Sequence, residues 1–259
     1  MTPLDQAHAA METAPDDDTA RLTFYDRLAA SELFLLLEEE PPGETIKPRI
    51  FPVDGAQFAL VFDREDRLTA FAEGPAPYAA LSGRVLADML AGQGIGLGVN
   101  LGVAPSAILI EAASVAWLAD TLAARPDEIE ERAEAFAAPA GLPEPLLTAL
   151  DMRLAATQGL ARIAYLVGVI YAGGRKGHMI GFIDPVPGAE PALARTVSDA
   201  LTFSGVEAGV LDVAFFRASD PAAVRLARAG LRFDLPEPPK IVPVAQAPGS
   251  DPAKPPKLR

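Results

Sequence analysis

Cysteine is absent from the 259 residues of this chain, and histidine occurs only at His8 and His178. Disulfides, cysteine nucleophiles and thiolate metal sites are therefore excluded, and a metal site built from several histidines is disfavoured. Carboxylate, serine, tyrosine and lysine side chains remain for chemistry near neutral pH. We expect neither a cofactor nor a metal, and a protein without catalytic activity is favoured over an enzyme.

Positive charge is also scarce. The chain has 22 lysines and arginines against 35 aspartates and glutamates, which gives a formal net charge of −13. Such a surface repels phosphate backbones and anionic lipid headgroups over most of its area. We therefore expect no nucleic acid and no membrane among the partners of this protein.

Long hydrophobic runs are missing as well. The longest nearly unbroken apolar stretch covers residues 163–174, which is well short of the roughly twenty residues that a membrane-spanning helix needs. Residues 1–6 have no basic region and no apolar core of the kind found in secretory signals. The expected compartment is the cytoplasm.

The chain does contain two blocks of helix and strand signals. In the first block, the apolar run 33–37 stops at three glutamates and predicts a buried strand, and Asp54 with Gly55 predicts a hairpin turn. In the second block, residues 161–172 and 178–183 predict a hairpin around the glycine-rich loop 173–177. Between these predicted strands, apolar residues recur at helical spacing, which predicts helices.

These signals predict an α+β fold with two tandem mixed α/β domains, each a small, mostly antiparallel sheet packed with helices. We place the first domain at residues 1–125 and the second at residues 145–236. The acidic and proline-rich composition of residues 126–144 indicates a linker. Residues 237–259 are rich in proline and have little that could form a core, so we expect a disordered tail.

Several packing patterns in the chain resemble the SseB-like family of bacterial proteins, which is named for an enhanced serine sensitivity phenotype. Over roughly residues 4–122 the patterns are Phe24-Tyr25, Glu32-Leu33-Phe34-Leu35-Leu36, Ile50-Phe51-Pro52, Phe58-Ala59-Leu60, Pro77-Tyr78, Leu81-Ser82-Gly83 and Leu97-Gly98-Val99-Asn100. The second half is similar to the C-terminal domain of that family at residues 165–168 and 211–216. The resemblance implies a fold with an N-terminal and a C-terminal SseB domain, and it supplies no catalytic residue.

Two kinds of cluster are conspicuous but do not predict a site. The glycines within residues 92–102 match neither the G-x-G-x-x-G fingerprint nor a P-loop. Alternate glycines before a strand favour a bulge or the close approach of another backbone. The acidic clusters at residues 16–18, 38–40 and 127–134 are typical of a helix start, a strand end and a solvated helix face. A divalent cation is the less favoured alternative there.

The best candidate for contact with an anion is the tip of the second predicted hairpin. Arg175, Lys176 and His178 follow two glycines there, in a protein that is otherwise acidic. The alternative is a solvated turn that binds nothing, since loops ordinarily carry such residues. His178 has no serine, cysteine or second histidine near it in sequence, so we assign it no catalytic role.

Four residues are candidate contacts for a protein partner: Trp117, Ile241, Val242 and Val244. Trp117 lies on a predicted amphipathic helix. The alternative to a partner contact is packing, because a lone tryptophan on such a helix often belongs to a partly buried core. The other three form a short aliphatic segment of the proline-rich tail. Such a segment can add to a sheet edge or dock in a groove, although an unused terminus is the simpler alternative.

The absence of a convergent catalytic set favours a non-catalytic cytoplasmic module for protein interaction or regulation. Its expected partner is another cytoplasmic protein. The alternative is a sensor or enzyme for a small anionic metabolite, with its pocket near the hairpin tip at residues 173–178.

Overall fold

Two mixed sheets organise this protein, one in each half of the chain. The computed structural model describes residues 1–41, 43, 45–123, 131–205 and 211–236. Within these ranges there are eight helices and eleven strands, and each sheet combines antiparallel pairs with one parallel pair. The predicted α+β class, with two mostly antiparallel sheets packed with helices, is confirmed.

The described residues of the first half form six strands and five helices. They are α1 (Pro3–Thr13), α2 (Asp18–Ala30), β1 (Glu32–Leu36), β2 (Ile50–Val53), β3 (Ala56–Phe62), α3 (Glu65–Phe71), β4 (Tyr78–Ser82), α4 (Gly83–Leu90), β5 (Ile95–Val99), β6 (Ile108–Ile110) and α5 (Ala112–Ala123). The strand order is β4-β1-β3-β5-β6, and β2 pairs with the first part of β3 to form the hairpin predicted at Asp54 and Gly55. Only the β3–β5 pair is parallel among these strands.

Alternation along the strands divides the apolar residues of the first half between two cores. Leu33 and Leu35 of β1 face a large core that includes residues of α1, α2, α4 and α5. Leu36 of β1 and Phe62 of β3 face a smaller core on the other side, beneath Leu68 of α3. Because successive side chains of a strand point to opposite faces, an apolar run such as 33–37 needs a cover on both sides.

Close packing accounts for the alternate glycines of β5. Gly96 lies opposite Phe58 of β3, and Gly98 lies opposite Leu60. A Cβ atom on Gly96 would overlap both the Phe58 ring and the carbonyl oxygen of Ile110. These glycines therefore let large side chains of β3 lie across β5, as is expected where a strand interior contains glycine.

The part of the second half that the structure describes has five strands and three helices. They are β7 (Ala133–Ala137), α6 (Glu144–Ala155), β8 (Ile163–Tyr171), β9 (Lys176–Ile183), α7 (Glu190–Phe203), β10 (Leu211–Phe216), α8 (Pro221–Ala229) and β11 (Leu231–Asp234). The strand order is β10-β9-β8-β11, with β7 also paired to β8. α6 and α7 cover one face of this sheet, and α8 covers the other face.

The strand β7 lies inside the range 126–144 that the sequence predicts as a linker. It pairs with β8, with Phe136 opposite Val169. Phe136 packs against the α8 face of the sheet, and the Arg225 guanidinium lies 5.0 Å from the centre of its ring. The strand corrects the solvated helix face predicted for residues 127–134 at the two positions that belong to β7, while the domain limits themselves stay a prediction. Residues 124–130, and the tail predicted at 237–259, lie outside the described residues.

Candidate functional site

Arg175, at the tip of the β8–β9 hairpin, is already bound to acidic residues of the protein. Its guanidinium donates hydrogen bonds to Glu131 and to Asp212, at 3.1 and 3.2 Å, and lies 4.0 Å from the centre of the Tyr171 ring. The hydrogen bond that Arg175 donates to Glu131 is the main cause that raises the pKa of Arg175. Burial, with a hydrogen bond to Asp212, raises the pKa of Tyr171. The carboxylates of Glu131 and Asp212 thus offset the positive charge of Arg175, which would otherwise attract an anion.

Lys176 and His178 do not converge with Arg175. They lie opposite Ile170 and Gly168 of β8, on the face covered by α6 and α7, whereas Arg175 packs on Tyr171 on the α8 face. The Nε2 atom of His178 is 3.0 Å from the carbonyl oxygen of Ala140. The three residues that the sequence groups as an anion site are therefore divided between two faces of the sheet. This geometry gives no support to the metabolite alternative.

Trp117 lies on α5, and 41% of its surface is exposed. Its ring meets the ring of Tyr25 on α2 edge to face, with centroids 5.3 Å apart. Tyr25 in turn contacts the buried ring of Phe24 in the same manner. Trp117 thus contributes to packing and also presents an apolar surface. The other predicted partner contacts, Ile241, Val242 and Val244, lie outside the described residues.

A cluster of buried polar residues ties α1 to the first sheet. Asp5 is completely buried and accepts hydrogen bonds from Arg67 at 2.6 Å and from Ser106 at 2.6 Å. Arg67 also donates to Asp63, and Asn100 donates to Ser106. The Arg67 guanidinium holds the pKa of the Asp5 carboxyl well below its usual range. These groups satisfy one another, so the cluster acts as a structural connection.

A second buried cluster joins the two halves of the chain. Arg153 of α6 donates to Asp26 of α2 and, at 3.0 Å, to Asp199 of α7. Asp199 also pairs with Arg84 of α4, whose guanidinium donates to the carbonyl oxygen of Leu122 at 2.7 Å. Burial is the main cause that raises the pKa of Asp199 and lowers the pKa of Arg153. We call Asp26, Arg84, Arg153 and Asp199 the seam cluster.

Reasoning from the sequence did not identify either buried cluster. One local signal was present, because Asp26 follows Leu22 by four residues and so lies on the apolar stripe of α2, where a carboxylate needs a buried partner. The identity of that partner, 127 residues away in the chain, depends on how the two halves pack. No pattern in the sequence gives that information.

The edge of the first sheet at β4 has backbone groups that point away from the protein. β4 pairs with β1, and no other strand of the described ranges lies beside it. The Leu37 N–H donates to the Pro77 carbonyl, so the hydrogen-bonded pairs of this ladder fall at odd-numbered residues of β4. The N–H and C=O groups of Tyr78 and Ala80 therefore face outward.

Within β4 itself, three of the features that usually prevent pairing with another chain are absent. Residues Tyr78–Ser82 contain no lysine and no proline, and their register with β1 has no bulge. The side chains of Tyr78, Ala80 and Ser82 are exposed. The Tyr78 ring lies edge to face on Phe34 of β1, with centroids 5.3 Å apart. We call Tyr78–Ser82 together with Phe34 the β4 edge, and it is the candidate functional site.

The described ranges contain no group of three or more histidine, cysteine, aspartate or glutamate residues that could hold a metal ion. In the same ranges no helix combines the length and the apolar character that crossing a membrane requires.

In a comparison with protein families, residues 4–117 match the family model described as SseB protein N-terminal domain. This range begins in α1 and ends within α5, so it includes both edges of the first sheet. No curated protein and no solved structure matched the chain.

Proposed function

Through residues 4–117 the chain belongs to the SseB-like family, and we propose that it acts as a non-catalytic module for protein interaction. The proposed site is the β4 edge, and the proposed partner is another cytoplasmic protein that offers an extended segment. The observation that carries this proposal is an edge strand with outward backbone groups and exposed side chains, which contains no lysine, proline or bulge between Tyr78 and Ser82.

Addition of a strand to a sheet edge uses hydrogen bonds of the main chain for affinity and alternate side chains for specificity. Tyr78 and Ala80 supply outward N–H and C=O groups, as the ladder with β1 requires. The rings of Phe34 and Tyr78 supply an apolar surface for every second side chain of the incoming segment. The edge therefore has both components of this mode of recognition.

The buried clusters give further support for a role without catalysis. Carboxylates with strongly shifted pKa values are typical of active sites, but they also occur in structural ion pairs. In this chain Asp5 binds Arg67 and Ser106, and Asp199 binds Arg84 and Arg153. Because these side chains are engaged with one another inside the protein, none of them is available to a substrate.

A photo-crosslinking experiment tests the proposal. Replacement of Tyr78 by p-azidophenylalanine preserves the ring and the backbone N–H at the β4 edge. Replacement of Val224, which is 53% exposed on α8, gives a control probe on a surface with no proposed role. After irradiation in the host's lysate, we expect one protein to be linked from position 78 and not from position 224. Identical adducts from both positions, or none from position 78, would contradict the proposal.

A further inference from the structure

An apolar groove lies on the second half of the chain, at the start of β11. Its volume is about 400 Å³, and its lining has no charged side chain: Ala138, Pro139, Gly141, Leu142, Leu147, Ala229, Gly230 and Leu231. Leu231 lies in the groove with 44% of its surface exposed. A recess of this size and composition suits aliphatic side chains rather than a charged or polar ligand.

The described chain ends at Pro236, beyond the end of β11 that lies away from this groove. β11 runs from Leu231 at the groove to Asp234, and Leu235 is buried in the core beneath α6. The carbonyl oxygen of Pro236 accepts a hydrogen bond from Gly159, just beyond the end of α6. The groove and Pro236 therefore lie at opposite ends of β11, about 16 Å apart for five residues of extended chain.

The 23 residues that follow Pro236 contain one run of branched aliphatic residues, at Ile241, Val242 and Val244. We propose that this segment of the chain's own tail occupies the groove beside Leu231, Leu142 and Leu147. Pro243 interrupts the backbone donors of the segment, so the contact is made by side chains rather than by a continued ladder. This inference rests on the groove and the tail, and it is independent of the β4 edge.

The tail is long enough for its aliphatic segment to come back from Pro236 to the groove. Residues 237–243 separate Pro236 from Val244, and eight extended residues span at most about 26 Å. The return along β11 takes about 16 Å, so the remaining length is available for the turn at Pro236. Val244, at the end of the aliphatic run, can therefore reach the level of Leu231 when the chain turns back along β11. A much shorter connection would not allow this path.

Charge favours the same contact. The tail carries Lys240, Lys254, Lys257 and Arg259 against Glu237 and Asp251, and is therefore basic, whereas the whole chain has a formal net charge of −13. A basic segment is attracted to an acidic body and so spends more time near its surface. The aliphatic run then selects the uncharged groove within that surface.

The test uses the full chain with one nitroxide label. Because the sequence has no cysteine, an Ala245→Cys substitution gives a single labelling site next to the aliphatic run. We expect paramagnetic loss of the amide signals of Gly141, Gly230 and Leu231 in ¹⁵N-labelled protein. Val242→Asp is expected to restore these signals. Ala247→Asp, which introduces the same charge outside the aliphatic run, is expected to leave the loss unchanged.

Two outcomes would overturn the inference. The first is a loss of signal at the groove that is no greater than at Leu109, on β6 in the first half of the chain, or that is insensitive to Val242→Asp. The second comes from a mixture of ¹⁵N-labelled chains without nitroxide and nitroxide-labelled chains without ¹⁵N. A loss of the same groove signals in that mixture would show that the tail docks on a second copy.

Discussion

Asp5 illustrates how a single buried residue can stabilise an entire element. It is completely buried, and hydrogen bonds from Arg67, Ser106 and the Thr2 N–H satisfy its carboxylate. Thr2 and Asp5 also form the reciprocal hydrogen bonds of a capping box at the start of α1. The same carboxylate thus caps the helix and ties it to α3.

Replacement of Asp5 by asparagine tests this role. The variant removes one of the two carboxylates that pair with the Arg67 guanidinium, which remains largely buried. We therefore expect Asp5→Asn to lower the free energy of unfolding by about 2–4 kcal/mol. Asp18→Asn removes a carboxylate whose side chain is 75% exposed, and we expect almost no effect. Urea denaturation at neutral pH measures both changes. Equal midpoints for the two variants would show that Asp5 has no special structural role.

The pH dependence follows from the same pairing. The pKa of Asp5 is lower in the folded state than in the unfolded state, mainly because of the hydrogen bond from Arg67. A group of this kind contributes stability above its unfolded pKa of about 3.9, and the contribution is lost as the pH falls below that value. We therefore expect the difference in stability between wild type and Asp5→Asn to shrink between about pH 4 and pH 2. A constant difference would contradict this assignment.

The β4 edge allows a prediction about a single element. The ladder with β1 places the Ala79 N–H toward Leu35 and the Ala80 N–H away from the sheet. Ala79→Pro removes a ladder hydrogen bond and leaves a buried carbonyl without a donor, whereas Ala80→Pro removes only an outward donor. We expect Ala79→Pro to cost about 1–3 kcal/mol more than Ala80→Pro in urea denaturation. The opposite order would mean that the odd-numbered residues of β4, and not the even-numbered ones, carry the outward N–H groups.

Several elements could be predicted from local signals alone. The run 33–37 became β1, the turn at Asp54 and Gly55 joined β2 to β3, and the loop 173–177 lies at the tip of the β8–β9 hairpin. β7 gave little signal, because Phe136 is its only large apolar residue and its neighbours are acidic and proline-rich. Its pairing with β8 and the contact with α8 hold it in place.

The candidate site was only partly predictable. Pro75 and Pro77 are local signals for an extended chain at the start of β4. The position of that segment at the edge of the sheet depends on the strand order, which a single sequence does not encode locally. The basic tip had the clearest signal of any candidate, yet Glu131 and Asp212 bind Arg175 there. Neither residue is adjacent to Arg175 in the sequence, so this neutralisation was not foreseeable.

At the scale of the whole molecule, the seam cluster connects the two halves. Arg153 is central to it, because this side chain contacts both Asp26 in the first half and Asp199 in the second. The guanidinium also lies 5.6 Å from the centre of the Phe203 ring. A buried pair of this kind contributes little beyond what apolar packing would provide, but removal of one member leaves a charge without a partner.

Three variants compare the loss of one member of the buried pair with the replacement of both members. We expect Arg153→Leu to lower the free energy of unfolding by about 3–5 kcal/mol, because Asp26 then stays buried without its cation. The double variant Asp26→Leu with Arg153→Leu is expected to recover much of that loss. Arg21→Leu, which breaks an exposed pair with Asp18, is the matched control and is expected to cost less than about 1 kcal/mol. A loss for Arg153→Leu as small as for Arg21→Leu would rule out a structural role of the seam cluster.

The most direct measurement for the proposed interaction is a comparison of affinity captures from the host's lysate with three full-length proteins: wild type, Ala80→Val and Ala80→Pro. Valine preserves the outward N–H of the β4 edge, and proline removes it without loss of a hydrogen bond to β1. We expect one stoichiometric partner with wild type and with Ala80→Val, and loss of that partner with Ala80→Pro. Retention of the same partner by Ala80→Pro would contradict binding along the β4 edge.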